Sequence, residues 1–139
     1  MYDLEKLNKI IKDIENYFLK LRNINLTKEN IEIDEKFFSS SMLMFSILNR
    51  MIDLAEEIIV KNEFGMPSSY EQYFELLREN GLIDKFLENE LRKLVKDRNL
   101  FAHDYYNMDR KQVLNISKRI YNVEDFIRKA KEIVKRETK

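Results

Sequence analysis

The sequence predicts an all-α fold, an up-and-down bundle of about five helices. Three observations carry that prediction. The 139 residues include Gly 2 and Pro 1, so the turn formers of a many-stranded fold or a Gly-rich phosphate loop are missing. Apolar residues recur at steps of three and four along most of the chain, and the breaks fall at recognisable cap and turn residues. The length is that of one domain over residues 1–139, enough to bury a core.

The first helix is expected from about Tyr2 to Asn23, with Leu4, Leu7, Ile11, Ile14, Phe18 and Leu21 forming one buried stripe. The second begins near Lys28 or Asn30, with Thr27 and Asn30 as candidate N-caps, and runs to Asn62. It carries two apolar lines, Phe38-Met42-Phe45-Leu48-Ile52-Ala55-Ile59 and Met44-Ile47-Met51-Leu54-Ile58, as a central helix would. Gly65-Met66-Pro67 ends it. Ser68 with Glu71 reads as a capping box opening a third helix over about Ser69–Glu79, which Asn80-Gly81 closes. A fourth helix starts at Ile83 or Asp84, and a fifth follows Asp109, whose partner Gln112 completes a second capping box. Its apolar line is Val113, Ile116, Ile120, Val123, Ile127, Ala130 and Val134.

Composition narrows the function. With Cys 0 and His 1, disulfides, a thiolate zinc site and a His-rich metal site within one subunit are excluded, and no cofactor is expected. No apolar run approaches the roughly 20 residues of a membrane span, and the N-terminus lacks a signal-peptide pattern, so a cytoplasmic protein is expected. Lys+Arg 25 balances Asp+Glu 25. That argues against coating nucleic acid through bulk charge, and DNA binding is not expected. The basic bias from Arg110 to Lys139 reads as a solvated helix face, with a local basic surface that steers nucleic acid as the alternative.

The chemistry concentrates at Arg98-Asn99-Leu100-Phe101-Ala102-His103-Asp104-Tyr105. The fourth helix continues as Leu87, Leu91, Leu94, Arg98, Phe101 and Tyr105, so an arginine falls where a leucine belongs. A charge on an apolar seam is costly unless it is paired, lies at an interface or faces a cavity. The bland alternative is an ion pair at a fraying helix end. Histidine can take and give a proton near neutrality, and arginine offers donors shaped for phosphate. Five residues turn roughly 140° beyond one full turn of an ideal helix, so convergence of Arg98 and His103 is expected to need a helix break just after Phe101 or Ala102. Asn99 would orient the arginine or donate a hydrogen bond, and Asp104 would orient the imidazole or stay solvated. The line Asn49, Asp53, Glu56 reads as a solvated stripe, with support of Arg98 by Asp53 as the sharper alternative.

Arg98, polar Asn99, His103 and Tyr105 resemble the R-x4-H-x-Y motif of the HepT-like toxins in the HEPN superfamily. The resemblance extends over about Ser40 to Val134, through Ile52-Asp53-Leu54-Ala55, Met66-Pro67-Ser68-Ser69-Tyr70, Phe74-Glu75-Leu76-Leu77 and Asn107-Met108-Asp109. It implies a toxin component of a toxin–antitoxin system: a homodimeric, metal-independent endoribonuclease using the ribose 2′-hydroxyl as nucleophile. In that reading His103 is the acid–base residue and Arg98 holds the phosphate, with RNA as substrate. The resemblance further implies a nucleotidyltransferase (MNT-type) antitoxin that silences the enzyme by adenylating Tyr105; the neighbouring Tyr106 is not matched by the motif. The alternative is a non-catalytic HEPN module that binds nucleotide or protein and pairs with the nucleotidyltransferase.

Overall fold

In the computed structural model, which describes residues 3–137, six α-helices and two single-turn 3-10 helices follow one another, with no strand among the described residues. Helix α1 spans Leu4–Ile24; the expected first residue, Tyr2, lies outside the described residues. The Asp3 carboxylate accepts the Lys6 amide at 3.1 Å, and Asn25 closes the helix in the left-handed region at φ 51°. Leu7, Ile11, Ile14, Phe18 and Leu21 are buried as the stripe predicts.

The second helix begins later than expected. Thr27 and Asn30 cap each other rather than a long helix: the Thr27 amide donates to Asn30 Oδ1 at 2.6 Å and the Asn30 amide to Thr27 Oγ1 at 3.0 Å. These short polar side chains satisfy local amides and so favour a turn over helix. A 3-10 turn over Asn30–Glu32 and an extended Ile33 result, and α2 then spans Asp34–Asn62. It contacts α1, α3, α4 and α5, as a central helix should. Met44, Ile47, Met51, Leu54 and Ile58 are fully buried, whereas the start of the other line emerges from the core, with Phe38 52% and Met42 64% exposed.

Helix α3 (Tyr70–Glu79) is capped one residue later than expected. Ser69 Oγ accepts the Gln72 amide at 3.3 Å, and Gln72 Oε1 accepts the Ser68 amide at 2.8 Å, so Gln72 takes the part assigned to Glu71. Gly81, at φ +78°, supplies the left-handed residue that turns the chain. Helix α4 (Lys85–His103) opens where Asp84 accepts the Leu87 amide at 2.8 Å. Glu88, fully buried on α4, ties it to α3: its carboxylate accepts from Arg78 Nε at 2.6 Å, Arg92 Nη1 at 3.1 Å and Lys85 Nζ at 3.2 Å.

A second 3-10 turn, Tyr105–Asn107, leads to α5 (Arg110–Arg119), whose Asp109/Gln112 capping box is present in both directions. Arg110 anchors this end, donating to the Ile31 carbonyl at 2.6 Å and lying 4.4 Å over the Phe37 ring. The expected fifth helix is in fact two. The Val123 amide bonds the Ile120 carbonyl at 2.9 Å, three residues back, and Asn122 Nδ2 takes the Arg119 carbonyl at 3.0 Å. Helix α6 therefore restarts at Asn122 and runs to Glu137. The apolar line stays buried across the break from Val113 to Ala130, which is why periodicity conceals it.

Candidate functional site

The start of α3 and the end of α4 form the walls of a cleft of about 660 Å³, lined by Pro67, Ser68, Ser69, Tyr70, Tyr73, Arg98, Asn99 and His103 together with Glu71. The Arg78–Glu88 bridge holds these two helices together below it. Arg98 is half-buried and enclosed. Its Nε donates to Asn49 Oδ1 on α2 at 2.8 Å and its Nη1 to Asn99 Oδ1 at 3.2 Å. The guanidinium carbon lies 5.3 Å from the Tyr70 ring centroid and 5.9 Å from that of Phe45, within cation–π range of both. The arginine on the apolar seam is thus held by amides and rings, with no carboxylate bonded to it among the described residues.

His103 shares the cleft with Arg98, but not by the expected route. Helix α4 does not break after Phe101 or Ala102; it continues through His103, and Asp104 caps it with its amide on the Leu100 carbonyl at 2.8 Å. Asn99 and His103, four residues apart, share one face of the regular helix. Arg98 closes the angular gap by reaching sideways, its Nη1 drawn to Asn99. A long side chain substitutes for a backbone break. His103 is exposed at the helix end.

The two supporting residues take different partners. Asn99 accepts from Arg98 and so orients it. Asp104 is exposed and accepts from Asn107 Nδ2 at 2.5 Å, stabilising the 3-10 turn. Asp53 pairs with Arg50 Nη1 at 3.1 Å, and Asp13 also holds Arg50 at 2.6 Å. Of the polar stripe on α2 it is Asn49 that supports Arg98, a contact across 49 positions that no local pattern marks. Tyr73, at the cleft wall, has its phenol pushed up by burial and by the Glu56 carboxylate, so it stays protonated.

Tyr105 does not line this cleft. It is half-buried in an adjoining apolar groove of about 260 Å³ with Phe38, Ser41, Met42, Phe45 and Phe101. Its ring centroid lies 6.5 Å from that of Phe38. Phe45 lines this groove, and its ring lies 5.9 Å from the Arg98 guanidinium carbon and 6.2 Å from the Phe101 ring. Tyr106 is 99% exposed. On the far side of α4, Asp97 pairs with Arg119 at 2.8 Å, and burial pushes its carboxyl up against the effect of that cation.

The curated protein named mRNA nuclease HepT from Shewanella oneidensis is 35% identical over 75 residues, covering 54% of this chain and 55% of that protein; the match thus spans about half the length of that relative. A solved structure of a tri-AMPylated Shewanella oneidensis HEPN toxin in complex with MNT antitoxin superposes with a TM-score of 0.83 at 24% identity, covering 95% of this chain and 99% of that one. The Bacillus subtilis protein YutE, described as a cytosolic protein of unknown function, superposes with a TM-score of 0.84 at 17% identity, covering 99% and 95%. At these identities the structures establish the fold, and no helix among the described residues is long and apolar enough to cross a membrane. A family model described as Ribonuclease HepT-like matches residues 7–133, nearly the whole chain, and the chain belongs to that family.

Proposed function

We propose that the protein is the toxin of a toxin–antitoxin pair, an endoribonuclease that works without a metal and acts in the cytoplasm. The observation that carries this is the cleft in which Arg98, held from several sides, faces the same space as His103. RNA cleavage by internal transfer needs three things: a base for the 2′-hydroxyl proton, a cation for the phosphoryl oxygens, and an acid for the departing 5′-oxygen. The 2′-oxygen–phosphorus bond forms as the phosphorus–5′-oxygen bond breaks. Arg98 suits the second part, since charge builds on the non-bridging oxygens in the transition state. His103 suits the first or the third. A cationic Arg98 beside the imidazole also disfavours a divalent cation there.

One imidazole per chain supplies one of the two proton transfers. A homodimer supplies both, and the exposed Phe38 and Met42 beside the cleft offer an apolar face for the second copy. Tyr105 would be the adenylation site, acting from the groove that adjoins the cleft through Phe45. The partner would be a nucleotidyltransferase antitoxin of the MNT type, as the Shewanella complex suggests by likeness.

The test is cleavage of single-stranded RNA by the purified protein in the presence of a chelator. His103→Ala and Arg98→Ala should each slow it by about 10²–10⁴-fold, the usual size of a lost acid–base or oxyanion-stabilising group. Equal rates in parent and both variants would refute the catalytic reading. A stable complex with the nucleotidyltransferase and no cleavage of any RNA would favour the non-catalytic module.

A further inference from the structure

We infer that Asn49 is a positioning residue of the Arg98 site, and that its neutrality is what leaves Arg98 able to bind an anion. The inference rests on the proposed reading of Arg98 as the phosphate-binding group. A guanidinium carries five N–H donors. Nε is committed to Asn49 Oδ1 at 2.8 Å and one Nη1 hydrogen to Asn99 Oδ1 at 3.2 Å, both amide oxygens. The remaining donors, Nη2 among them, make no hydrogen bond among the described residues, and Arg98 lines the cleft. The flanking Phe45 and Tyr70 rings hold the guanidinium in place without neutralising it.

The surroundings make the choice of an amide informative. Helix α2 carries a carboxylate close by, Asp53, one turn beyond Asn49. It is drawn to Arg50, which Asp13 from α1 also binds at 2.6 Å. Arg50 thus occupies Asp53 and Asp13, and an uncharged oxygen meets Arg98. An aspartate at position 49 would offer nearly the same volume and the same acceptor to Nε. It would also place a full negative charge on the guanidinium and compete with a phosphate for it. A merely structural hydrogen bond would tolerate that exchange or gain from it; a phosphate site would not.

The experiment compares the parent protein with Asn49→Asp, Asn49→Ala and Arg98→Ala. Three readouts are used: equilibrium binding of a 2′-O-methylated single-stranded RNA oligonucleotide, which cannot be cut, the Arg98 Nε–H resonance in a ¹⁵N side-chain NMR spectrum, and kcat and KM for cleavage of the unmodified RNA. Asn49→Asp should keep a protected Nε–H yet bind the oligonucleotide about tenfold more weakly, the scale of one charge-assisted contact. Asn49→Ala should lose the protected Nε–H and slow turnover more than it raises KM. Asn49→Asp binding within twofold of the parent, or a protected Nε–H that survives in Asn49→Ala, would overturn the inference. Should Asn49→Asp fail to fold, the resonance in Asn49→Ala decides. Failure of the underlying reading looks different: Arg98→Ala would then bind the oligonucleotide as the parent does.

Discussion

Glu88 offers a test of how the cleft is built. Its carboxylate is fully buried and receives Arg78 from α3 with Arg92 and Lys85 from α4. The substitution Glu88→Gln keeps the volume and one acceptor oxygen but removes the charge. A hydrogen bond to a charged group contributes about 1.5–3 kcal/mol. The donors remain partly solvated, with side-chain exposures of 35% for Arg78, 39% for Arg92 and 64% for Lys85, and so recover water when released. Discounting for that, the loss is about 2 kcal/mol, which for a domain of this length lowers Tm by about 8 °C. Urea unfolding followed by circular dichroism measures it. Burial alone would raise the Glu88 carboxyl, but the bonds from Arg78, Lys85 and Arg92 outweigh it and hold it below the ordinary carboxylate range. A carboxyl depressed in the folded state stabilises above its unfolded pKa and loses that contribution as pH falls through the folded value. The gap between parent and variant should therefore be full near neutral pH and shrink on acidification. A gap under about 0.5 kcal/mol at neutral pH, or one that widens in acid, would refute the reasoning.

Three further outcomes are expected. Leu94→Ala removes a fully buried side chain beneath the motif and should cost about 2–5 kcal/mol in chemical unfolding. Met42→Glu, at a position 64% exposed, should leave the unfolding midpoint nearly unchanged while shifting the protein from dimer to monomer in light scattering; a variant that stays dimeric would move the interface elsewhere. Protein produced together with the nucleotidyltransferase should gain adenylate by intact mass, and Tyr105→Phe should abolish the gain; adenylate persisting in that variant would point to the exposed Tyr106.

The helices were legible at most boundaries that a local rule sets, the start of α3 being off by one residue. Asp84, the Asp109/Gln112 box and Gly81 all act as their residue types suggest, because a cap is decided by side-chain reach over three or four positions. Boundaries failed where two local rules competed. Thr27 and Asn30 could cap a helix or each other, and Ile120–Tyr121 interrupts an apolar line whose burial does not change. The site residues were legible as types but not as partners. The seam exposed Arg98 as misplaced, yet the oxygen that satisfies its Nε sits 49 positions away on α2. Asp53, the charged candidate on the same stripe, proved to be occupied by Arg50. Only the packing of α2 against α4 decides between them.

That packing holds the two motif side chains to different degrees. Arg98 is fixed by two amide oxygens and two rings before any ligand arrives, so its alignment with a phosphate carries little reorganisation cost at the moment of reaction. His103 stands exposed as the last residue of α4, with no hydrogen bond to its side chain among the described residues. A group that stabilises charge gains from being rigid, because its optimum place is the same throughout phosphoryl transfer. A group that moves protons must meet an oxygen whose position the substrate determines, and it gains from a second element that closes over it. In the proposed dimer that element is the other copy, seated on the groove of Phe38, Met42 and Phe45. The same Phe45 that steadies Arg98 would then lie under the interface, so that assembling the second imidazole and fixing the first arginine depend on one ring. Phe45→Ala should accordingly weaken dimerisation and slow cleavage together; a variant that remains dimeric with unchanged turnover would separate the two roles.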